Sequence, residues 1–237
     1  MTRLTRAELV ARVAEAHERE RSLIGGLTDD QVRAPSTLPG WTRSHVLAAL
    51  LAFAQAANRQ ITFAMADRVV DFYDGGREGR DEEIETNASR SADDLVLEVV
   101  RATKDLDRAW ARLRPPDWSR PVRYRDGGSM TDVLRACWRE AELHAVDLDL
   151  GVLPSEWSAD FCVDLFDFLT PRAPEGVVLE LFTPEGDLWK LGSGEPVRIT
   201  GTLTDLAAWL AGRAPVGEVR SSTGELPTLR RLRDARR

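Results

Sequence analysis

The segment Glu140-Ala-Glu-Leu-His144 sets a carboxylate and an imidazole four positions apart in a chain that has only three histidines. On a helix, positions four apart lie on one face, one turn from each other. A glutamate and a histidine so placed form a two-toothed platform for a divalent metal, as in helical zinc sites. Asp147, three residues beyond His144, is placed to orient the imidazole from behind. Cys137 lies on the same stripe, three residues before Glu140, and reads as a small buried hydrophobe. Glu142 points elsewhere. Pairs of this kind also arise in helices by chance, so the other histidines matter. With Thr42 as N-cap, His45 takes the third helical position, where the positive helix end favours the neutral, metal-binding imidazole. The alternative is a histidine of the capping region packed beside Trp41. His17, between Ala16 and Glu18, has no ligand pattern around it and reads as a partly exposed helix residue.

The elements that must bring these residues together follow from periodicity and turn signals. Residues 5–25 form an amphipathic helix opened by the capping pair Thr5 and Glu8. Leu38-Pro39-Gly40 makes a turn, and a second helix runs from Thr42 to about Asp67. After a polar stretch with Gly75, Gly76 and Gly79, a third helix covers about 92–113. Pro115 and Pro116 stop it, and a fourth helix covers about 130–149. The composition then changes. Residues 158–170 are helical, Val177–Phe182, Leu188–Leu191 and Val197–Thr200 are strands joined by glycine turns, and a last helix covers about 203–212. The fold class is α+β in two domains. Residues 1–152 form a four-helix bundle, and residues 153–237 a small α/β domain with a short antiparallel sheet.

Topology decides whether His45 can meet Glu140 and His144. In an up-down-up-down bundle, the start of the second helix and the end of the fourth lie at opposite ends, roughly 37 Å apart for 25 residues. The connection over residues 68–90 removes the difficulty. Twenty-odd residues reach well beyond about 60 Å, enough to run back along the bundle and make the second and third helices parallel. His45 and His144 then share one end, and two histidines with one glutamate leave a metal position open, the pattern of catalytic zinc.

Composition narrows the function classes. The 237 residues are 43% hydrophobic and 30% charged, an ordinary globular balance. A net charge of −7 disfavours a partner held through phosphates. The apolar stretch Val46–Ala57 is too short to span a bilayer. Met1 is not followed by a basic segment leading into an apolar signal core. Two cysteines, Cys137 and Cys162, do not make a disulfide framework, and a cytoplasmic setting is expected. Of 32 basic residues only Lys104 and Lys190 are lysine, the bias of a GC-rich bacterial genome.

Three segments together, Leu38-Pro-Gly-Trp-Thr-Arg-Ser-His45, Trp138-Arg-Glu140-Ala-Glu-Leu-His144-Ala-Val-Asp147-Leu and Gly212-Arg213 with Ser221-Ser-Thr-Gly-Glu225, resemble the mycothiol-dependent maleylpyruvate isomerases. The resemblance spans most of the chain in order. It implies a DinB-like metal-binding bundle followed by a small α/β domain. It implies zinc (Zn2+) on His45, Glu140 and His144, with mycothiol as the thiol cofactor. It also implies two functional arginines, Arg80 in the crossover, with Arg77 as the competing assignment, and Arg213 in the second domain.

The implied chemistry is thiol addition to a cis-enoyl pyruvate, rotation about the former double bond, and elimination to the trans isomer. Arg80 and Arg213 suit the carboxylates or the enolate, since guanidinium binds planar anions through a two-donor fork. The site would lie in an interdomain cleft. Two other classes compete: a mycothiol S-transferase acting on electrophiles, if the adduct leaves, and a non-catalytic metal or thiol sensor. The expected partners are a small-molecule substrate and a thiol, with no nucleic acid and no membrane, in a monomer or small homo-oligomer. Trp41 and Trp138 read as packing residues.

Overall fold

The computed structural model describes residues 4–125 and 128–231, in two compact units, Met1–Gly151 and Val152–Arg237. The first unit is helical: α1 (Arg6–Ile24), α2 (Asp29–Arg33), α3 (Arg43–Met65), α4 (Gly76–Ala88), α5 (Ala92–Arg112) and α6 (Met130–Asp147). Side chains cap the starts. Thr5 with Glu8, Thr28 with Gln31 and Ser129 with Asp132 each close a reciprocal capping box. Among the described residues no helix is long and apolar enough to cross a membrane.

The alanine- and leucine-rich α3 is the central post, with fifteen of its 23 residues buried. Its first half packs Val46, Leu47, Leu50 and Leu51 against Ile24 of α1, against Ala92, Leu95 and Val99 of α5, and against Leu148 just past α6. Further along, Ala54 and Asn58 of α3 face Glu98, Arg101 and Asp105 of α5. Start thus lies beside start and middle beside middle, so α3 and α5 run in the same direction, as the crossover argument requires.

The crossover itself differs from expectation. Residues 68–90 are not one long loop. They contain α4, which lies back along α3 with Ile84 seated on Ala48, Ala49 and Ala52. Ile84 is its one buried residue, so the segment has no apolar periodicity to betray a helix. Its packing works because the facing stripe of α3 is alanine, which lets a second backbone approach.

Polar groups also enter the core. His17 is buried, not partly exposed, and its Nδ1 lies 2.6 Å from Asp107 Oδ1 on α5. Arg21 Nη1 donates to the other Asp107 oxygen at 2.9 Å and to Thr103 at 3.2 Å. Glu20 is buried beside them, and among the described residues neither carboxylate oxygen has a hydrogen-bond partner.

The second unit holds α7 (Ala159–Leu169), α8 (Leu203–Ala211) and four strands: β1 (Val177–Phe182), β2 (Leu188–Gly192), β3 (Glu195–Thr200) and β4 (Arg220–Ser221). The sheet order is β2-β1-β3-β4. Leu179, Leu181, Leu191 and Ile199 are its buried side chains. The expected antiparallel sheet is corrected here. β1 pairs antiparallel with β2, but parallel with β3, in the register Leu179↔Val197 and Leu181↔Ile199. The sheet is therefore mixed. The short Gly192-Ser193-Gly194 link does not make a hairpin; it carries the chain past the end of β1 to its other edge. A Cβ on Gly194 would stand 2.0 Å from the Gly176 carbonyl oxygen, and one on Gly192 would stand 2.6 Å from that of Val177. Both positions have positive φ, so glycine is required on two counts.

Glu20 gives the core a pH signature. Burial raises its pKa from 4.5 to about 7, against the opposing pull of His17, His144 and Arg21, with Asp107 adding to the rise. The folded state thus binds this proton more tightly than the unfolded state. The associated stability is complete below about pH 4.5 and is lost as pH rises through about 7. In metal-free protein, the stability of Glu20→Gln relative to wild type should therefore climb by up to about 3 kcal/mol between pH 4.5 and 8. Chemical denaturation across that range measures it, and parallel pH curves for the two proteins would contradict the assignment.

Candidate metal centre

The site is assembled by the docking of two helix ends. Arg43, the first residue of α3, donates from Nε to the Leu148 carbonyl at 2.6 Å and from Nη2 to the Asp149 carbonyl at 2.7 Å. These carbonyls lie just past Asp147, beside the negative end of α6. The loop before α3 joins in, with the Thr37 N–H donating to the Asp147 carbonyl at 2.9 Å. His45 is two residues from Arg43 and His144 four residues from Leu148. Both histidines are thus held at one end of the bundle.

On α6, Glu140 and His144 face each other as the i,i+4 spacing predicts, with Oε2 and Nε2 3.1 Å apart. Behind them, Asp147 is fully buried and its Oδ2 lies 2.9 Å from His144 Nδ1. Thr37 donates to the other Asp147 oxygen at 3.3 Å. Burial alone would lower the His144 pKa, but the hydrogen bonds to Asp147 and Glu140 outweigh it and raise the value to about 9. Burial would raise that of Glu140, yet the His144 hydrogen bond and the charges of His144, Arg80 and Arg139 hold it below the ordinary glutamate value. His144 is thus hydrogen-bonded between two carboxylates, Glu140 and Asp147.

His45 occupies the N3 position of α3, where glutamate or glutamine usually completes a capping box. Its Nδ1 lies 3.2 Å from the Thr42 N–H and 2.7 Å from the Thr42 hydroxyl. Accepting from the N–H places the neutral ring's proton on Nε2. Donating to the hydroxyl leaves the Nε2 lone pair open. Nε2 faces Glu85 Oε2 of α4 at 3.6 Å, and the Trp41 ring stands 6.0 Å from the imidazole.

Does this set fit a metal? Two donors on one tetrahedral zinc, with bonds of about 2 Å, stand roughly 3.3 Å apart. Glu140 and His144 meet that spacing. The chemistry of two imidazoles and one carboxylate also suits zinc. Among the described residues, no three His, Cys, Asp or Glu side chains are closed around one point, and the second imidazole, His45, is turned toward Glu85.

Arg80 of α4 points the same way. Its guanidinium bonds Asp81 at 2.9 Å, stands 5.6 Å from the centre of the Tyr73 ring, and acts electrostatically on Glu140. Arg77, the competing assignment, is exposed. The turn between Tyr73 and Arg80 depends on Gly79, where a Cβ would fall 2.2 Å from the Asp74 carbonyl oxygen. In the second unit, Arg213 follows the end of α8 and donates from Nη1 to the Ala211 carbonyl at 2.7 Å. Arg172 donates to the Leu210 carbonyl at 2.6 Å beside it, and the two cations repel.

Other residues settle into supporting places. Cys137 is buried and burial pushes its thiol far up, so it is no nucleophile. Glu142 points away, to Arg19 and the Trp138 indole. The sequence reading did not single out Tyr73 or Glu85. An aromatic pair, Phe72-Tyr73, inside an otherwise polar glycine-bearing stretch was the available signal for the first.

Comparison with known proteins gives a consistent result. Residues 13–149 match the mycothiol maleylpyruvate isomerase N-terminal domain, and residues 156–231 match the C-terminal domain of the same family. Two crystal structures, of the mycothiol-dependent maleylpyruvate isomerase and of a histidine-to-alanine mutant of it, are each similar at a TM-score of 0.88 and 27% identity. Each comparison covers 98% of this chain and 100% of the other. No curated protein matches the chain. From the two matched domains, the chain belongs to the mycothiol maleylpyruvate isomerase family.

Proposed function

We propose that the chain is a zinc- and mycothiol-dependent isomerase that converts maleylpyruvate to fumarylpyruvate. The observation that carries this reading is the Glu140–His144 pair at 3.1 Å, backed by the buried Asp147 and with Arg80 beside it. His45, Glu140 and His144 would hold the zinc. A zinc ion there would supply acidity to the mycothiol thiol, making thiolate available at neutral pH.

The chain's own residues have definite tasks in this reading. Asp147 accepts from His144 Nδ1–H and so keeps the Nε2 lone pair directed at the metal. Thr42 holds the His45 ring by its Nδ1, so that Nε2 is the nitrogen turned outward for a metal. Arg80 holds a substrate carboxylate, and Arg213 a second anionic group. As sulfur bonds one alkene carbon, the electron pair moves onto the conjugated carbonyl, and guanidinium donors stabilise that charge. The carbon–carbon bond is then single and rotates. Return of the electron pair re-forms the double bond in trans geometry and releases the thiolate unchanged.

Metal analysis tests the site first. Purified protein should carry about one zinc per chain, and His45→Ala and His144→Ala should each lose it with the helical circular dichroism intact. Unchanged metal in both variants would overturn the ligand set. Incubation with maleylpyruvate and mycothiol should yield fumarylpyruvate with the thiol recovered. An accumulating thioether would instead identify an S-transferase, and binding without turnover a sensor.

Arg213 allows a sharper measurement. A charge-assisted contact contributes about 1.5–3 kcal/mol, so Arg213→Ala should slow turnover roughly 10- to 150-fold. Zinc content and melting temperature should stay as in wild type. Arg213→Lys should recover part of the rate, because an ammonium lacks the two-donor fork. Wild-type turnover in Arg213→Ala would leave the arginine as a helix-end residue and no more.

A further inference from the structure

Tyr73 is one of two tyrosines in the chain and lies outside every helix and strand. Aromatic packing fixes its place. The neighbouring Phe72 ring stands 5.4 Å from Phe53 of α3 and 5.1 Å from Tyr124, and meets the Tyr73 ring edge-on at 4.9 Å. The glycine-dependent turn that follows brings Arg80 back over the Tyr73 ring, its guanidinium centre 5.6 Å from the ring centroid. Both side chains act electrostatically on Glu140 of the metal pair.

Hydrogen-bond inventory then dictates the polarity of this group. A guanidinium has five donors and no acceptor. Toward Arg80, the Tyr73 oxygen can therefore only accept. Its own proton is left for a different partner. Partial burial and the Glu140 charge push the phenol well above its ordinary pKa, against the pull of Arg80, so the proton stays on the oxygen at physiological pH. A phenol that accepts from a cation also donates more strongly.

We propose that Tyr73 and Arg80 form one anion-binding fork, in which Arg80 donates to the Tyr73 oxygen and the Tyr73 O–H donates to a carboxylate oxygen of the substrate. Tyr73 is thereby a substrate-binding residue whose ligand class is a planar oxo-dicarboxylate. This rests on the isomerase reading above for the location of the substrate, and the test separates the two.

The experiment uses the zinc-loaded full chain and succinylpyruvate, the saturated analogue that lacks the reacting double bond. Titration calorimetry should show Tyr73→Phe binding it about 10- to 100-fold more weakly than wild type, the loss of one hydrogen bond to a charged acceptor. Zinc content and melting temperature should be unchanged, since the ring and its contact with Phe72 remain. A second readout does not depend on the variant's folding. Protein labelled with 3-fluorotyrosine carries two fluorine signals, and the Tyr73 signal, assigned with Tyr124→Phe, should shift when the analogue binds. Equal affinity in wild type and Tyr73→Phe, or an unmoved Tyr73 signal, overturns the Tyr73 assignment and leaves the isomerase reading standing. Weaker analogue binding in the variant, with no isomerisation of maleylpyruvate by wild type, upholds Tyr73 and overturns the isomerase reading. A wild-type chain that does not bind the analogue overturns both.

Discussion

The site depends on a contact that involves none of its candidate ligands: the Arg43 guanidinium laid across the Leu148 and Asp149 carbonyls just past α6. A helix leaves its final carbonyls without intrahelical partners, and a delocalised cation bonded to the two carbonyls just beyond answers the negative helix end. The contact fixes the start of α3 against the end of α6. Everything polar nearby inherits that registration. Thr37 reaches Asp147, Asp147 fixes His144, and Thr42 fixes His45. The apolar cluster of Val46, Leu47, Leu50 and Leu148 lies directly beneath, so the polar contacts rest on a dry floor.

A second constraint is the direction of α5. Parallel neighbouring helices need a long return path, and the chain fills much of that path with a helix rather than leaving it all as loop. The return segment is α4, which is charged on all but one side and presents Glu85 and Arg80 toward the ligand-bearing end. It meets α3 through Ile84 seated on three alanines, with Trp41 and Ala88 packed against the same cluster.

The legible and illegible parts of the sequence divide along physical lines. The helix starts at Thr5, Thr42 and Ser129 could be read because capping is a local, side-chain-coded event. The Glu140–His144 face followed from helical geometry alone, and strand Val177–Phe182 was delimited at both ends by its β-branched and apolar run. The helix α4 was not legible, because its stability comes from the alanine stripe of another helix and not from its own pattern. His17 looked exposed because nothing in its neighbours announces Asp107, ninety residues away. Tyr73 escaped notice because its role comes from a turn that folds it onto Arg80. The parallel pairing of β1 with β3 was hidden by a link short enough to pass for a hairpin turn. Its two glycines carried the information, but as a demand for close approach and not as a turn type.

That link bears on where this architecture can grow. The chain between β2 and β3 passes so near the Gly176 and Val177 carbonyls that a single added methyl group has no room. An inserted residue there would have to thread beneath a strand already paired on both edges. The Pro184-Glu185-Gly186 turn at the other end of the sheet opens to solvent, and a Cβ on Gly186 meets nothing within 4 Å. Lengthening of this unit over evolutionary time, or grafting of a tag or loop onto it in the laboratory, is therefore channelled to one end of the sheet, with the other end held at fixed length.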